Sequence, residues 1–152
     1  MAKLYGRWGA YEARTPEEKD GMDIDAIIRA AKLGRERKDA QVETCTVFAA
    51  ALYDVLSAQG IQCEMVTVVP KGLEAWAHAL VAVAGRYYDS MGEFSADIYR
   101  TRAKIHPKVR FELDYRADAR CECYEPEFDE LHAFFVNVLT KTLHEPAAAV
   151  AA

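Results

Sequence analysis

The sequence predicts an α+β fold, in which a mainly antiparallel sheet of about four strands packs against a central helix with a cysteine at its N-terminus. Helical periodicity covers two early stretches, four strand-like stretches follow, and an amphipathic stretch closes the chain. Antiparallel strands with helices inserted and appended are typical of this class. The 152 residues suit one domain, which we place at 1–145, with a frayed tail at 146–152.

The first stretches predict a helical entry segment. Thr15 is a candidate cap with Pro16 at a first helical position, and "DIDAIIRAAKLG" then forms a short helix that ends at Gly34. Its apolar side carries Ile24, Ile27, Ile28 and Leu33. The basic run "KLGRERK" at 32–38 is predicted to be a solvated loop.

The central helix is predicted over residues 44–59 and ends at Gly60, because glycine readily adopts the left-handed conformation of a helix C-terminus. Thr44 is the expected N-cap, which puts Cys45 in the first turn. The apolar stripe of this helix recurs at three- and four-residue steps and consists of Cys45, Phe48, Leu52, Val55 and Leu56.

Four β-branched or alternating stretches predict strands at 61–69, 76–83, 86–91 and 109–116. Between the last two, "SADIYRTRAKIHP" predicts a helix that is capped by Ser95 and ends before Pro107. The closing helix covers "EPEFDELHAFFVNVLTKTL". Its apolar face consists of Phe128, Leu131, Phe135, Val138 and Leu139.

Strands 76–83 and 86–91 are expected to form a hairpin whose turn length decides which residues share a face. With a two-residue turn at 84–85, Val83 pairs with Arg86, and Asp89 lies diagonally from His78 on the same face. A three-residue loop would reverse the parity and turn Asp89 away from His78.

Composition and charge exclude several classes of partner. The net charge of -5, with no long basic run, argues against nucleic acid. No stretch approaches the ~20 apolar residues of a membrane span, and the N-terminus has no apolar core of a signal peptide. We expect a cytoplasmic protein that binds neither nucleic acid nor a membrane; the oligomeric state stays open.

Four cysteines, at 45, 63, 121 and 123, are expected to be reduced, because an apolar domain of this length needs no disulfides. Cys121 and Cys123 could belong to a metal site with Cys63 or His132, but a single Cys-x-Cys pair is weak evidence for zinc. We expect no metal and no cofactor, and Cys63 is most simply a buried small residue.

Cys45 is the candidate nucleophile. Thiolates attack carbonyl carbons, and the unpaired N–H groups of a helix N-terminus favour the thiolate. The same N–H groups, with the Gln41 side-chain amide just upstream, could stabilise an oxyanion on a substrate. The alternative is that Cys45 only packs in the apolar stripe.

The base expected for Cys45 is His78. It lies within an apolar strand, where a buried imidazole needs polar partners, and Asp89 is the expected partner. A satisfied core histidine and an ordinary strand-end aspartate are the alternatives. The other three histidines have simpler surface explanations and are His106, His132 and His144.

The runs "CTVFAAALYDVLSAQGIQCEMVTV" and "AHALVAVAGRYYDSMG" resemble the core of the transglutaminase-like branch of the papain-like thiol enzymes. The resemblance spans about residues 41–92 and implies Cys45 as nucleophile, His78 as base and Asp89 as orienting residue. Glu43 departs from the family, which commonly has a glycine there. Leu80 replaces an aromatic residue often found after the family's His-Ala.

The resemblance implies a cysteine-dependent hydrolase or acyltransferase that acts on amide bonds. A peptidase is the first expectation, followed by an amidase, a deamidase and acyl or glutamyl transfer; a protein or peptide is the expected substrate. Two alternatives stay open: an inactive papain-like fold that serves as a protein-binding module, and a metal-binding interaction domain.

Overall fold

The computed structural model describes residues 23–41, 43–71, 78–102, 104–115 and 126–145. Three helices come first: α1 (Ile24–Ala30), α2 (Glu36–Asp39) and α3 (Cys45–Ala58). Four strands follow: β1 (Glu64–Pro70), β2 (His78–Val83), β3 (Arg86–Asp89) and β4 (Gly92–Glu93). The last elements are α4 (Ala96–Arg102), β5 (Phe111–Tyr115), a 3-10 turn (Pro126–Phe128) and α5 (Asp129–Leu143).

The strands form one antiparallel sheet in the order β4-β3-β2-β1-β5. This sheet and its helices confirm the predicted α+β class. β4, a two-residue strand, is not predicted from the sequence. It forms because the chain turns directly after Asp89, so that Asp89 pairs with Gly92 and the predicted strand 86–91 is divided.

The core lies around α3, which packs against β1 and β2 on one side and against α5 on another. Every residue from Cys45 to Leu52 is buried, which is why this helix is apolar well beyond one stripe. Phe48 of α3 contacts Phe135 of α5 edge to face, with ring centroids 5.2 Å apart. The predicted stripe of α3 is buried throughout.

The β2–β3 turn consists of two residues, as predicted, and Val83 pairs with Arg86. Ala84 and Gly85 both have positive φ, at 49° and 84°, as a type I′ turn requires. Continuing this register places Leu80 opposite Asp89, with His78 one diagonal step away.

Some predictions lie outside the described residues: the cap at Thr15 with Pro16, the residues 76–77 and 116 at strand ends, and the tail at 146–152. Within the described part of the chain, no helix is long and apolar enough to cross a membrane.

Candidate active site

His78 and Asp89 form a buried pair at the open end of the β2–β3 hairpin. His78 Nε2 lies 3.0 Å from Asp89 Oδ2, and the two side chains are 0% and 6% exposed. The other carboxylate oxygen, Oδ1, accepts a hydrogen bond from the Met91 N–H at 2.8 Å. An ionised carboxylate can only accept, so Nε2 donates to Asp89 and Nδ1 is the nitrogen left for other chemistry.

Cys45 is the first residue of α3, and its thiol lies close enough to the His78 ring to contribute to the raised pKa of His78. Nδ1 of His78 is buried and forms no hydrogen bond in the described part of the structure, so the thiol and the ring are neighbours without a formed bond. Catalytic hydrogen bonds are often long without substrate.

Burial by itself would lower the pKa of His78, because it disfavours the charged ring. The hydrogen bond to Asp89 and the interaction with Cys45 outweigh burial and raise this pKa to about 9. The raised pKa favours the imidazolium form of His78. Its Nδ1–H is a buried donor that a cysteine thiolate could satisfy.

The predicted N-cap of α3 is confirmed in position, with Cys45 as the first helical residue. Thr44 occupies the N-cap position, but its side chain makes no capping hydrogen bond, and its buried hydroxyl has no hydrogen-bond partner among the described residues. An N-cap side chain accepts from the second or third N–H of a helix, so the N–H of Cys45, the first helical residue, is not a partner of Thr44 in either case. Glu43 is exposed to solvent.

Tyr99, on α4, covers the ring of His78, a contact that the sequence analysis missed. The two rings are nearly parallel, at 18°, with centroids 4.5 Å apart. Burial, with the charges of Cys45 and Asp89, raises the pKa of Tyr99 to about 12, so the phenol stays neutral. Phe94 lies beyond it, 6.0 Å from the His78 ring. Nothing in "SADIYRTR" signals this stacking.

Gln41, the predicted oxyanion donor, is 2% exposed, and its Nε2 donates to Ser90 Oγ at 2.8 Å. Because one N–H of the Gln41 amide is used by Ser90, only the second N–H could donate to an oxyanion as predicted. Ser90 follows Asp89 directly, so this hydrogen bond joins the segment before α3 to the end of the hairpin.

Arg37 corrects the prediction of a solvated loop at 32–38. It lies in the short helix α2 and is half-buried, and its guanidinium donates to the carbonyl oxygens of Ile28 at 2.9 Å, Ser90 at 2.7 Å and Ala31 at 2.5 Å. Burial, followed by the charge of Arg29, lowers the pKa of Arg37. Backbone carbonyls replace water around the charge of Arg37. Because they belong to α1, to the residue after it and to the end of the hairpin, Arg37 holds these parts together.

A cleft of about 130 Å³ opens beside Asp89, and neither His78 nor Cys45 belongs to its lining. Its walls come from α1, the segment before α3, the β3–β4 region and α4. They are formed by Arg29, Gln41, Asp89, Met91, Glu93, Ser95 and Tyr99.

The remaining candidates have local partners. His132 is half-buried rather than a plain surface residue, because its Nε2 lies 2.9 Å from Asp54 Oδ2 on α3. His106 and His144 are exposed, as predicted. Cys63 is partly buried, and burial raises the pKa of its thiol.

No group of three or more metal-ligating side chains occurs among the described residues. Cys121 and Cys123 lie outside them, so the Cys-x-Cys prediction is not tested there.

Comparison with protein-family models, with curated proteins and with solved structures found no match to this chain.

Proposed function

We propose that the protein is a cysteine-dependent hydrolase or acyltransferase with a transglutaminase-like, papain-like core, and that it acts on amide bonds of a protein or peptide. The observation that carries the proposal is the buried His78–Asp89 pair with the Cys45 thiol beside its unbonded Nδ1. A buried donor without a partner calls for an explanation, and a reactive thiolate supplies one.

In this mechanism, Cys45 Sγ attacks the carbonyl carbon as a thiolate while His78 holds the proton. The C–N bond breaks, His78 delivers its proton to the leaving amine, and a thioester remains on Cys45. His78 then takes a proton from water, or from another acceptor, which attacks the thioester and releases the thiolate. Asp89 orients the ring, and the Cys45 N–H and Gln41 face the oxyanion.

The first test is the alkylation of each cysteine by iodoacetamide as a function of pH, followed by peptide mass spectrometry. At about pH 6 an ordinary thiol is almost fully protonated, so we expect Cys45 to react at least ~10-fold faster than Cys63 in the same sample. The partly buried thiol of Cys63 is the internal reference in the same sample, and it should react slowly at this pH because burial raises its pKa.

His78→Ala should abolish the fast reaction of Cys45, because the imidazolium that stabilises the thiolate is lost, whereas Cys63→Ser should leave it unchanged. A Cys45 that reacts like Cys63 across the whole pH range would rule out the catalytic proposal. If Cys45 is reactive, proteins trapped on a Cys45→Ala variant identify the substrate.

A second candidate function is a protein-binding module that keeps the fold without the chemistry. The burial of the thiol favours it, since Cys45 is only 6% exposed and does not line the cleft beside Asp89. This candidate predicts slow alkylation of Cys45 in the wild-type protein and no effect of His78→Ala on partner binding.

A further inference from the structure

The hydroxyl of Ser90 makes two hydrogen bonds, and its surroundings decide in which one it donates and in which one it accepts. Ser90 is 0% exposed, and its Oγ lies 2.6 Å from the carbonyl oxygen of Arg37. A carbonyl oxygen can only accept, so the one hydroxyl proton points at Arg37. Towards its other neighbour, Gln41, the hydroxyl can therefore only accept a hydrogen bond.

This proton assignment decides which way the Gln41 amide is turned. If the amide oxygen faced Ser90, two acceptors would meet over one proton that is already used, which is costly in a buried site. The amide nitrogen must face Ser90 instead, as the 2.8 Å contact from Nε2 shows. One N–H is then used by Ser90, which leaves the second N–H of a residue that lines the cleft.

Ser90 is itself held in place from two directions. Its carbonyl oxygen accepts from the Arg37 guanidinium at 2.7 Å, while its hydroxyl donates to the Arg37 main chain. The same guanidinium is anchored on the carbonyls of Ile28 and Ala31. The acceptor that orients Gln41 is thus part of a rigid buried network rather than a mobile side chain.

We infer that Ser90 is a positioning residue that locks the Gln41 amide with its free N–H towards the substrate oxyanion. This inference rests on the proposed function of Cys45, His78 and Asp89. Ser90 acts only through Gln41. Without its hydroxyl, the amide can rotate and present its oxygen to the oxyanion, which would repel the developing charge.

The test is a double-mutant cycle with p-nitrophenyl acetate as the acyl probe, using the full chain with Ser90→Ala, Gln41→Met and the double variant. Loss of one oxyanion donor costs about 100- to 1,000-fold in kcat, and because the Cys45 N–H would still serve the oxyanion we expect a smaller fall of ~10- to 100-fold for Gln41→Met. Ser90→Ala should lower kcat about 10-fold with little change in KM, and the double variant should be no slower than Gln41→Met.

Two further variants test whether a fall in kcat comes from the lost hydrogen bond rather than from misfolding. Ser90→Cys keeps the shape of the side chain with a somewhat larger atom that is a weak acceptor, so it should lower kcat in the same direction as Ser90→Ala. Ser57→Ala, a serine on the exposed end of α3 that contacts Cys63, is the matched control and should leave kcat unchanged.

Iodoacetamide alkylation of Cys45 separates the possible failures, because this reaction uses no oxyanion site. We expect its rate and pH profile to be unchanged in Ser90→Ala. If the losses in kcat of the two single variants add in the double variant, Ser90 does not act through Gln41. If Ser90→Ala lowers the alkylation rate as much as kcat, the effect acts through Asp89. Either result would overturn the role of Ser90. A wild-type Cys45 that is not reactive would overturn the proposed function and this inference together.

Discussion

A histidine buried in a strand is stable only if its ring nitrogens have polar partners. At His78, Nε2 has Asp89 as its partner, whereas Nδ1 is buried without a hydrogen bond and the Cys45 thiol is nearby. Tyr99 stacks on the ring and restricts its rotation. The neighbours of His78 therefore set both the tautomer and the orientation of its ring.

Asp89→Asn should lower turnover of p-nitrophenyl acetate at least about 100-fold, because the amide can donate to Nε2 and move the neutral ring's proton to Nδ1. The ring then cannot accept a proton from the thiol. The pKa of His78 should also fall, since the carboxylate that raises it to about 9 is lost. NMR titration of the His78 ring protons measures this change.

The matched control for that variant is Asp54→Asn, which removes the carboxylate that lies 2.9 Å from His132. It should leave both turnover and the His78 titration unchanged. An unchanged His78 midpoint in Asp89→Asn would contradict the assignment of Asp89 as the group that raises this pKa.

At the scale of elements, the position of α3 depends on its contact with α5 as well as on the sheet. Phe48 lies one turn after Cys45, and its ring meets Phe135 at 82°, the edge-to-face arrangement that aromatic rings favour. Phe135 is 0% exposed, whereas its neighbour Phe134 is 37% exposed. The two adjacent phenylalanines therefore provide a buried and an exposed site for the same substitution.

Phe135→Ala should lower the free energy of unfolding by about 3–5 kcal/mol, because it leaves a cavity between α3 and α5. Phe134→Ala should cost under about 1 kcal/mol. Urea unfolding followed by circular dichroism measures both. Equal losses in the two variants would mean that the α3–α5 contact does not carry the stability assigned to it.

At the scale of the whole molecule, α1 is joined to the edge of the sheet. Asp25 Oδ1 accepts a hydrogen bond from the Glu93 N–H at 2.7 Å, and Arg37 ties α1 to Ser90. Gly92 allows this approach, because a Cβ there would collide with the Asp25 carboxylate, and its φ of 107° disfavours side chains.

Gly92→Ala should lower the free energy of unfolding by about 2–3 kcal/mol, because backbone strain adds to the loss of the Asp25–Glu93 hydrogen bond. Gly34→Ala is the control: Gly34 also has positive φ, at 60°, but a Cβ there meets nothing within 4 Å. It should cost about 1 kcal/mol from strain alone. Thermal unfolding distinguishes the two, and equal costs would mean that the collision with Asp25 is relieved without loss.

The elements that follow local rules were predictable. The periodicity of "CTVFAAALYDVLSA" indicates α3, and the two-residue turn sets the parity that brings His78 and Asp89 together. The two-residue strand β4 and the role of Arg37 were not predictable. A short strand has no periodicity, and a basic residue that binds distant carbonyls has the same sequence pattern as a solvated one.

The sequence by itself determined the order of the longer helices and strands and, with a two-residue turn, the face shared by His78 and Asp89, because helical period, strand period and turn length act over a few residues. Only the tertiary structure decided that the start of α3 meets that face, that Tyr99 covers the ring and that Ser90 orients Gln41. These contacts join distant elements, and side-chain packing and hydrogen-bond satisfaction select such partners only once the chain has folded.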